Sequence, residues 1–147
     1  MNSSRIERLL LEYSNISERK RELQSKIKEN ESRKKETEDT LKSTYLKFVP
    51  KGSNIGDSVF NAVKLILDEF QTHLDYYYGQ LRILNDCEKA MYEALKCLDK
   101  RENDVIYWRY IKGHKWEVVS VKTSYSRSQC FEIRDVALEK LVQNYKE

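Results

Sequence analysis

Helix-breaking residues are scarce in this chain, whose 147 residues include one proline and four glycines. Sheet-based folds need frequent tight turns, and those turns draw heavily on both residue types. The composition, with 39% apolar and 35% charged residues, suits exposed helices better than one large core. The sequence therefore predicts an all-α fold.

The few breaks divide the chain into four predicted segments. These are a charged coiled-coil-like helix (1–48), a linker (49–57), a long helix (58–98) and a helix-turn-helix domain (99–147). The linker holds the only proline, Pro50, and two of the glycines. Asp57 or Ser58 is expected to cap the long helix, because short polar side chains accept from free backbone N–H groups there.

Apolar residues of the N-terminal segment follow a seven-residue repeat, the pattern of a coiled-coil seam. The two registers contain Ile6, Tyr13, Ile27, Leu41 and Phe48, and Leu9, Ile16 and Leu23. Between Lys28 and Thr40 the sequence is almost wholly polar, so we expect the helix to bend or fray there. The seam could pair with a second copy or fold back on the long helix, and the repeat is compatible with both.

The C-terminal segment predicts three short helices. Asp99 and Glu102 have the spacing of a capping box at the start of the first, and Gly113 ends it. The second helix is expected to bury Trp116, Val118 and Val119. Thr123, Ser124 and Tyr125 are predicted to form a tight turn. The third helix is capped by Ser126 and has a buried stripe at spacings of three and four, formed by Cys130, Ile133, Ala137 and Leu141.

A short helix, a turn and a longer helix are typical of proteins that insert the longer helix into the DNA major groove. The predicted contacts to double-stranded DNA are Lys115, Lys122, Tyr125, Ser126, Arg127, Ser128, Gln129, Phe131, Glu132 and Arg134. Arg127 is expected to bind guanine, and Gln129 could bind adenine. Glu132 could accept from cytosine. Phe131 could contact a thymine methyl group or pack against the N-terminal or middle helices.

The same segment resembles region four of the sigma-seventy class of RNA polymerase sigma factors. The matching features are Arg101-Glu102, Arg109-Tyr110 with Gly113, Ser126-Arg127, Ala137-Leu138 and Lys140-Leu141. Phage and prophage regulators of the ArpU and RinA type are more similar still. They share a loop like Val49-Pro50-Lys51-Gly52-Ser53, and W-E and Y-S pairs like Trp116-Glu117 and Tyr125-Ser126.

This resemblance implies a cytoplasmic transcription regulator in a bacterial host, activating late packaging and morphogenesis genes, with host RNA polymerase as a further partner. It could form a homodimer through its N-terminal helices. Phe131 and Glu132 depart from the polar or basic residues common in sigma factors. Two alternatives are a DNA-packaging component such as a small terminase subunit, and a helical adaptor without DNA binding.

Other chemistry is not indicated. The two histidines, His73 and His114, lack neighbours at metal-ligand spacing, and no nucleophile with its base can be assembled, so we expect no metal, no cofactor and no enzyme activity. The odd number of cysteines on helical stripes indicates reduced, buried thiols. No apolar run reaches membrane-spanning length.

Overall fold

A computed structural model describes the backbone of residues 1–48 and 55–147, and the side chains of residues 1–43, 58 and 60–147. Over these ranges the chain forms six α-helices and no strand, which confirms the all-α class. The helices are α1 (Ser3–Ser14), α2 (Ile16–Phe48), α3 (Ile55–Leu95), α4 (Lys100–Ile106), α5 (Trp116–Thr123) and α6 (Arg127–Asn144). Residues 49–54 of the predicted linker and the Phe48 side chain lie outside the described residues.

Contacts divide the chain into two compact units. The first unit combines Met1–Arg19 with Ile83–Glu147, and the second is Lys20–Arg82. The division cuts across the four predicted segments, because α2 and α3 each contribute residues to both units. The first 19 residues therefore belong with the C-terminal helices.

The main core of the first unit joins α1 to the C-terminal helices. Ile6 and Leu10 of α1 are fully buried in one cluster with Met91, Leu138 and Leu141. Leu10 lies outside the predicted seven-residue seam. The repeat also did not predict the break after α1. Apolar surface removed from water drives this association. Ile6, which belongs to the predicted seam, is thus buried against other helices of the same chain.

The first helix also contacts the segment that follows α4. Burial and the negative charge of Glu7 together raise the pKa of Tyr110 to about 12. Its phenol donates to the Glu7 side chain. A polar contact thus accompanies the apolar packing of α1.

The N-terminal helix breaks at a different place from the one predicted. Asn15 ends α1, and its backbone N–H donates to the carbonyl groups of Glu12 and Tyr13. The expected fraying between Lys28 and Thr40 is wrong, since α2 runs unbroken from Ile16 to Phe48. In the second unit its polar side chains find partners on α3. Lys34 Nζ donates to Gln71 Oε1 over 2.8 Å, and the Tyr78 hydroxyl donates to Glu31.

Two further predictions, about the cap of the long helix and about the thiols, need correction. The third helix begins at Ile55, so Asp57 and Ser58 lie inside it and do not cap it. All three thiols are free, but only Cys130 is buried. Cys87 is half-buried, and Cys97 is exposed because it follows the end of α3.

In the described parts of the chain, no helix is long and apolar enough to cross a bilayer.

After Ile106 the fourth helix widens into a π-helical turn, Tyr107–Ile111. The backbone N–H of Lys112 closes it by donating to the Tyr107 carbonyl over 2.8 Å. Gly113 then terminates the helix with a φ of +73°, as its position predicted. A side chain in this left-handed region would be strained, so glycine fits the end of the turn.

Leu10→Ala should lower the free energy of unfolding by about 2–5 kcal/mol, because it leaves a cavity in the main core. Leu11→Ala is the matched control, since its neighbouring side chain is 57% exposed. That control should change the free energy by about 0.5 kcal/mol or less. Urea denaturation followed by circular dichroism measures both. Equal losses in the two variants would contradict the docking of α1 in this core.

Candidate nucleic-acid interface

The two helices of the candidate interface are joined by a strained turn. The fifth helix ends at Thr123, one residue later than predicted, and Ser124 has a φ of +63°. This is the left-handed region that residues with a side chain rarely adopt. The Ser120 hydroxyl donates to the Tyr125 carbonyl over 2.5 Å and so ties α5 to the turn.

The sixth helix begins with a reciprocal capping box. Ser126 Oγ accepts from the backbone N–H of Gln129 over 3.2 Å, and Gln129 Oε1 accepts from the backbone N–H of Ser126 over 3.0 Å. The N-cap predicted at Ser126 is confirmed. Bidentate binding of adenine needs both the oxygen and the nitrogen of a glutamine amide. The cap already occupies the Gln129 oxygen.

A second core fixes the orientation of α5 and α6. It consists of Val105, Val119, Cys130 and Ile133, all buried. The predicted stripe on α6 is confirmed, since Ala137 and Leu141 are buried as well. The prediction that Val118 points inward is wrong. Val118 is 37% exposed because Val119, the next residue around the helix, occupies the core.

With this stripe inward, α6 exposes Arg127, Ser128 and Glu132, as predicted. Phe131 is half-buried. Its ring packs edge-on against Trp116 of α5, with 5.0 Å between the ring centroids. This partner differs from the N-terminal or middle helices, the intramolecular contact that the sequence suggested, and the thymine contact stays a prediction.

Three guanidinium groups surround this pair of rings. The Arg134 guanidinium carbon lies 5.3 Å from the Trp116 centroid and 5.1 Å from that of Phe131. Arg109 lies 4.9 Å from Trp116, and Arg127 lies 5.7 Å from Phe131. We call these five residues the arginine–aromatic cluster. A guanidinium stacked on a ring keeps N–H groups at its edge that can bind phosphate.

Arg109 was not among the predicted contact residues. It lies in the π-helical turn, and its guanidinium also donates to the His114 carbonyl over 2.9 Å. That bond shapes the loop that leads into α5. The residue belongs to the Arg109-Tyr110 pair of the sigma-like pattern, but its contact with Trp116 depends on how the chain turns at Gly113.

Acidic neighbours partly neutralise the cluster. Arg127 pairs with Glu117 over 3.3 Å, and Arg134 pairs with Asp135 over 2.9 Å. The Arg127–Glu117 pair is well exposed, with 60% and 65% of the two side chains accessible. Exposed ion pairs of this kind contribute about 0–1 kcal/mol, so a phosphate group can compete for the arginines.

The remaining predicted residues lie outside the cluster. Lys122 Nζ lies 5.3 Å from the Trp108 ring centroid, and the Arg101 guanidinium lies 5.4 Å from that of Tyr125. Lys115 is exposed immediately before α5. The opposite flank of α6 is acidic. There Glu132 lines a groove together with Glu102 of α4 and with Asp99, the residue before α4.

Comparison of the chain with protein-family models, curated proteins and solved structures finds no match in any of the three. Within residues whose placement is described, no group of three or more histidine, cysteine or carboxylate side chains could hold a metal ion. The geometry of the α5–α6 surface is therefore the basis for a functional proposal.

Ser124→Gly should raise the free energy of unfolding by about 0.5–1 kcal/mol, because glycine adopts a positive φ without steric cost. Ser128→Gly provides a control on the same α5–α6 surface. Its position is helical, so the added backbone freedom should lower the free energy of unfolding by about 0.5 kcal/mol. Thermal denaturation shows whether each variant is more or less stable than the wild type. Destabilisation by both variants would contradict the strained turn.

Proposed function

We propose that this chain is a sequence-specific DNA-binding regulator of transcription, of the phage or prophage type, that binds duplex DNA through α6. One observation carries the proposal. The first turn of α6 exposes Ser128 and Arg127, a member of the arginine–aromatic cluster, on a helix whose opposite face is fixed in a core. A rigid, cationic helix start suits entry into a major groove.

Arg127 would have a different role from that of Arg134 and Arg109. Arg127, at the start of α6, is the candidate for a bidentate contact with guanine, since its planar fork matches O6 and N7. Arg134 and Arg109, held against Trp116, are candidates for phosphate contacts. Phosphate contacts supply most sequence-independent affinity and make it fall with salt.

The charge asymmetry of α6 supports one orientation on DNA. Arg127 and Arg134 lie on the flank that packs against α5, whereas Glu132 lies on the flank that faces α4. Phosphate groups are attracted to the first flank and repelled by the second. The DNA strand closest to the protein would therefore run along the α5 side.

The resemblance to late-gene activators extends the proposal to activation of packaging and morphogenesis genes, with host RNA polymerase as a candidate partner. Two copies would place two recognition helices on half-sites about one DNA turn apart. Pairing through the N-terminal seam is less suited to this chain, because Ile6, Ile16 and Ile27 are already buried within it. A homodimer would need other residues.

Arg127→Ala and Arg134→Ala should each weaken binding to a mixed-sequence 30-base-pair duplex. Arg134→Ala, which removes a proposed phosphate contact, should also lower the salt dependence of log K by about 0.9. Fluorescence anisotropy over a series of salt concentrations measures both quantities. Lys96→Ala is the matched control. Lys96 also has an acidic partner, Glu93, and an aromatic one, Tyr92, but it lies outside the α5–α6 surface.

The control variant should bind as the wild type does. Equal losses in all three variants would indicate a diffuse charge effect and contradict the assigned surface. Failure of the wild type to bind the duplex even at low salt would reject DNA binding and favour the helical adaptor.

A further inference from the structure

A groove lies between α4 and α6 on the acidic flank of the recognition helix. Its volume is about 350 Å³, and its walls include Asp99, Glu102 and Glu132. Arg101 is the only cation among the residues that line it, and its guanidinium lies over the Tyr125 ring. The lining has three carboxylates and one guanidinium, and Lys140 Nζ pairs with Glu102 beside them, so these five groups have a net charge of −1.

Asp99 is held in its charged form at the edge of the groove. Its carboxylate accepts from the backbone N–H of Glu102 over 2.9 Å. This hydrogen bond is the main reason that the pKa of Asp99 lies below its usual range.

Glu102 provides a second, independent indication of a ligand. The residue is only 5% exposed, and Oε1 accepts from Lys140 Nζ over 2.6 Å. Its other oxygen, Oε2, is buried and has no hydrogen-bond donor. A buried acceptor without a donor is unfavourable, and Glu102 is one of the residues that line the groove.

The groove also offers an apolar surface. Val136 is 49% exposed beside Glu132, with buried Ile133 beneath. Long basic side chains have an apolar stem and a charged head, so they match a surface with both properties. Arginine in particular can donate two parallel hydrogen bonds to one carboxylate.

We propose that this groove docks a basic, amphipathic segment of a partner protein, with an arginine or lysine head between Glu132 and Asp99 and apolar atoms on Val136. Charge complementarity identifies the occupant, because the net negative lining repels nucleic acid. The site is separate from the arginine–aromatic cluster on the other flank of α6. It would let a second macromolecule contact the recognition helix directly.

The test uses the full chain and a four-residue peptide that alternates leucine and arginine, with blocked ends. Methyl NMR of Val136 should show a saturable shift on titration. A peptide that alternates leucine and glutamate should produce none. Glu132→Gln should weaken binding about fivefold, the effect of losing roughly 1 kcal/mol. Glu139→Gln, an exposed site on the same helix, is the matched control and should leave affinity unchanged.

The proposal is overturned if the arginine peptide leaves the Val136 signal unmoved, or if both glutamine variants lose affinity equally. Spermidine or Mg²⁺ that binds as tightly as the peptide would also overturn it, by indicating a site for small cations. Thermal denaturation of each variant excludes a folding defect. No DNA is present, so failure here leaves the DNA-binding proposal standing.

Discussion

Burial of α1 against the C-terminal helices is the interaction on which the first unit depends. Ile6 and Leu10 share a core with Leu138 and Leu141 of α6, so α6 is anchored at its far end by the start of the chain. The separate cluster around Val119 and the first half of α6 fixes the near end. Anchoring at both ends leaves the exposed face of α6 as a rigid surface.

That surface combines two opposite chemistries on one helix. Toward α5, two of the cluster's arginines, Arg127 and Arg134, belong to α6 and lie over its Phe131 ring. Toward α4, Glu132 and its acidic neighbours line a groove. A uniformly basic helix would bind any polyanion in either direction. An asymmetric one restricts the side from which phosphate can approach and leaves the other side for a partner of opposite charge.

Local signals in the sequence were sufficient for much of this arrangement. The scarcity of proline and glycine predicted the all-α class, and short-range chemistry predicted the Ser126 cap and the end at Gly113. Spacing of apolar residues predicted the buried stripe of α6. Other local details were missed. Asn15 ends α1 through hydrogen bonds to Glu12 and Tyr13, and Val119 occupies the core position in place of Val118. Arg109 reaches Trp116 because the chain turns at Gly113, and periodicity does not report such backbone geometry.

The central claim is that the arginine-bearing face of α6 contacts duplex DNA. Backbone-amide NMR of the full chain, recorded while a mixed-sequence duplex is added, tests it most directly. The account predicts that the largest shifts occur at Arg127, Ser128, Phe131 and Arg134, and at the Trp116 indole. Largest shifts within Lys20–Arg82, or along the groove at Glu132 and Val136, would contradict it.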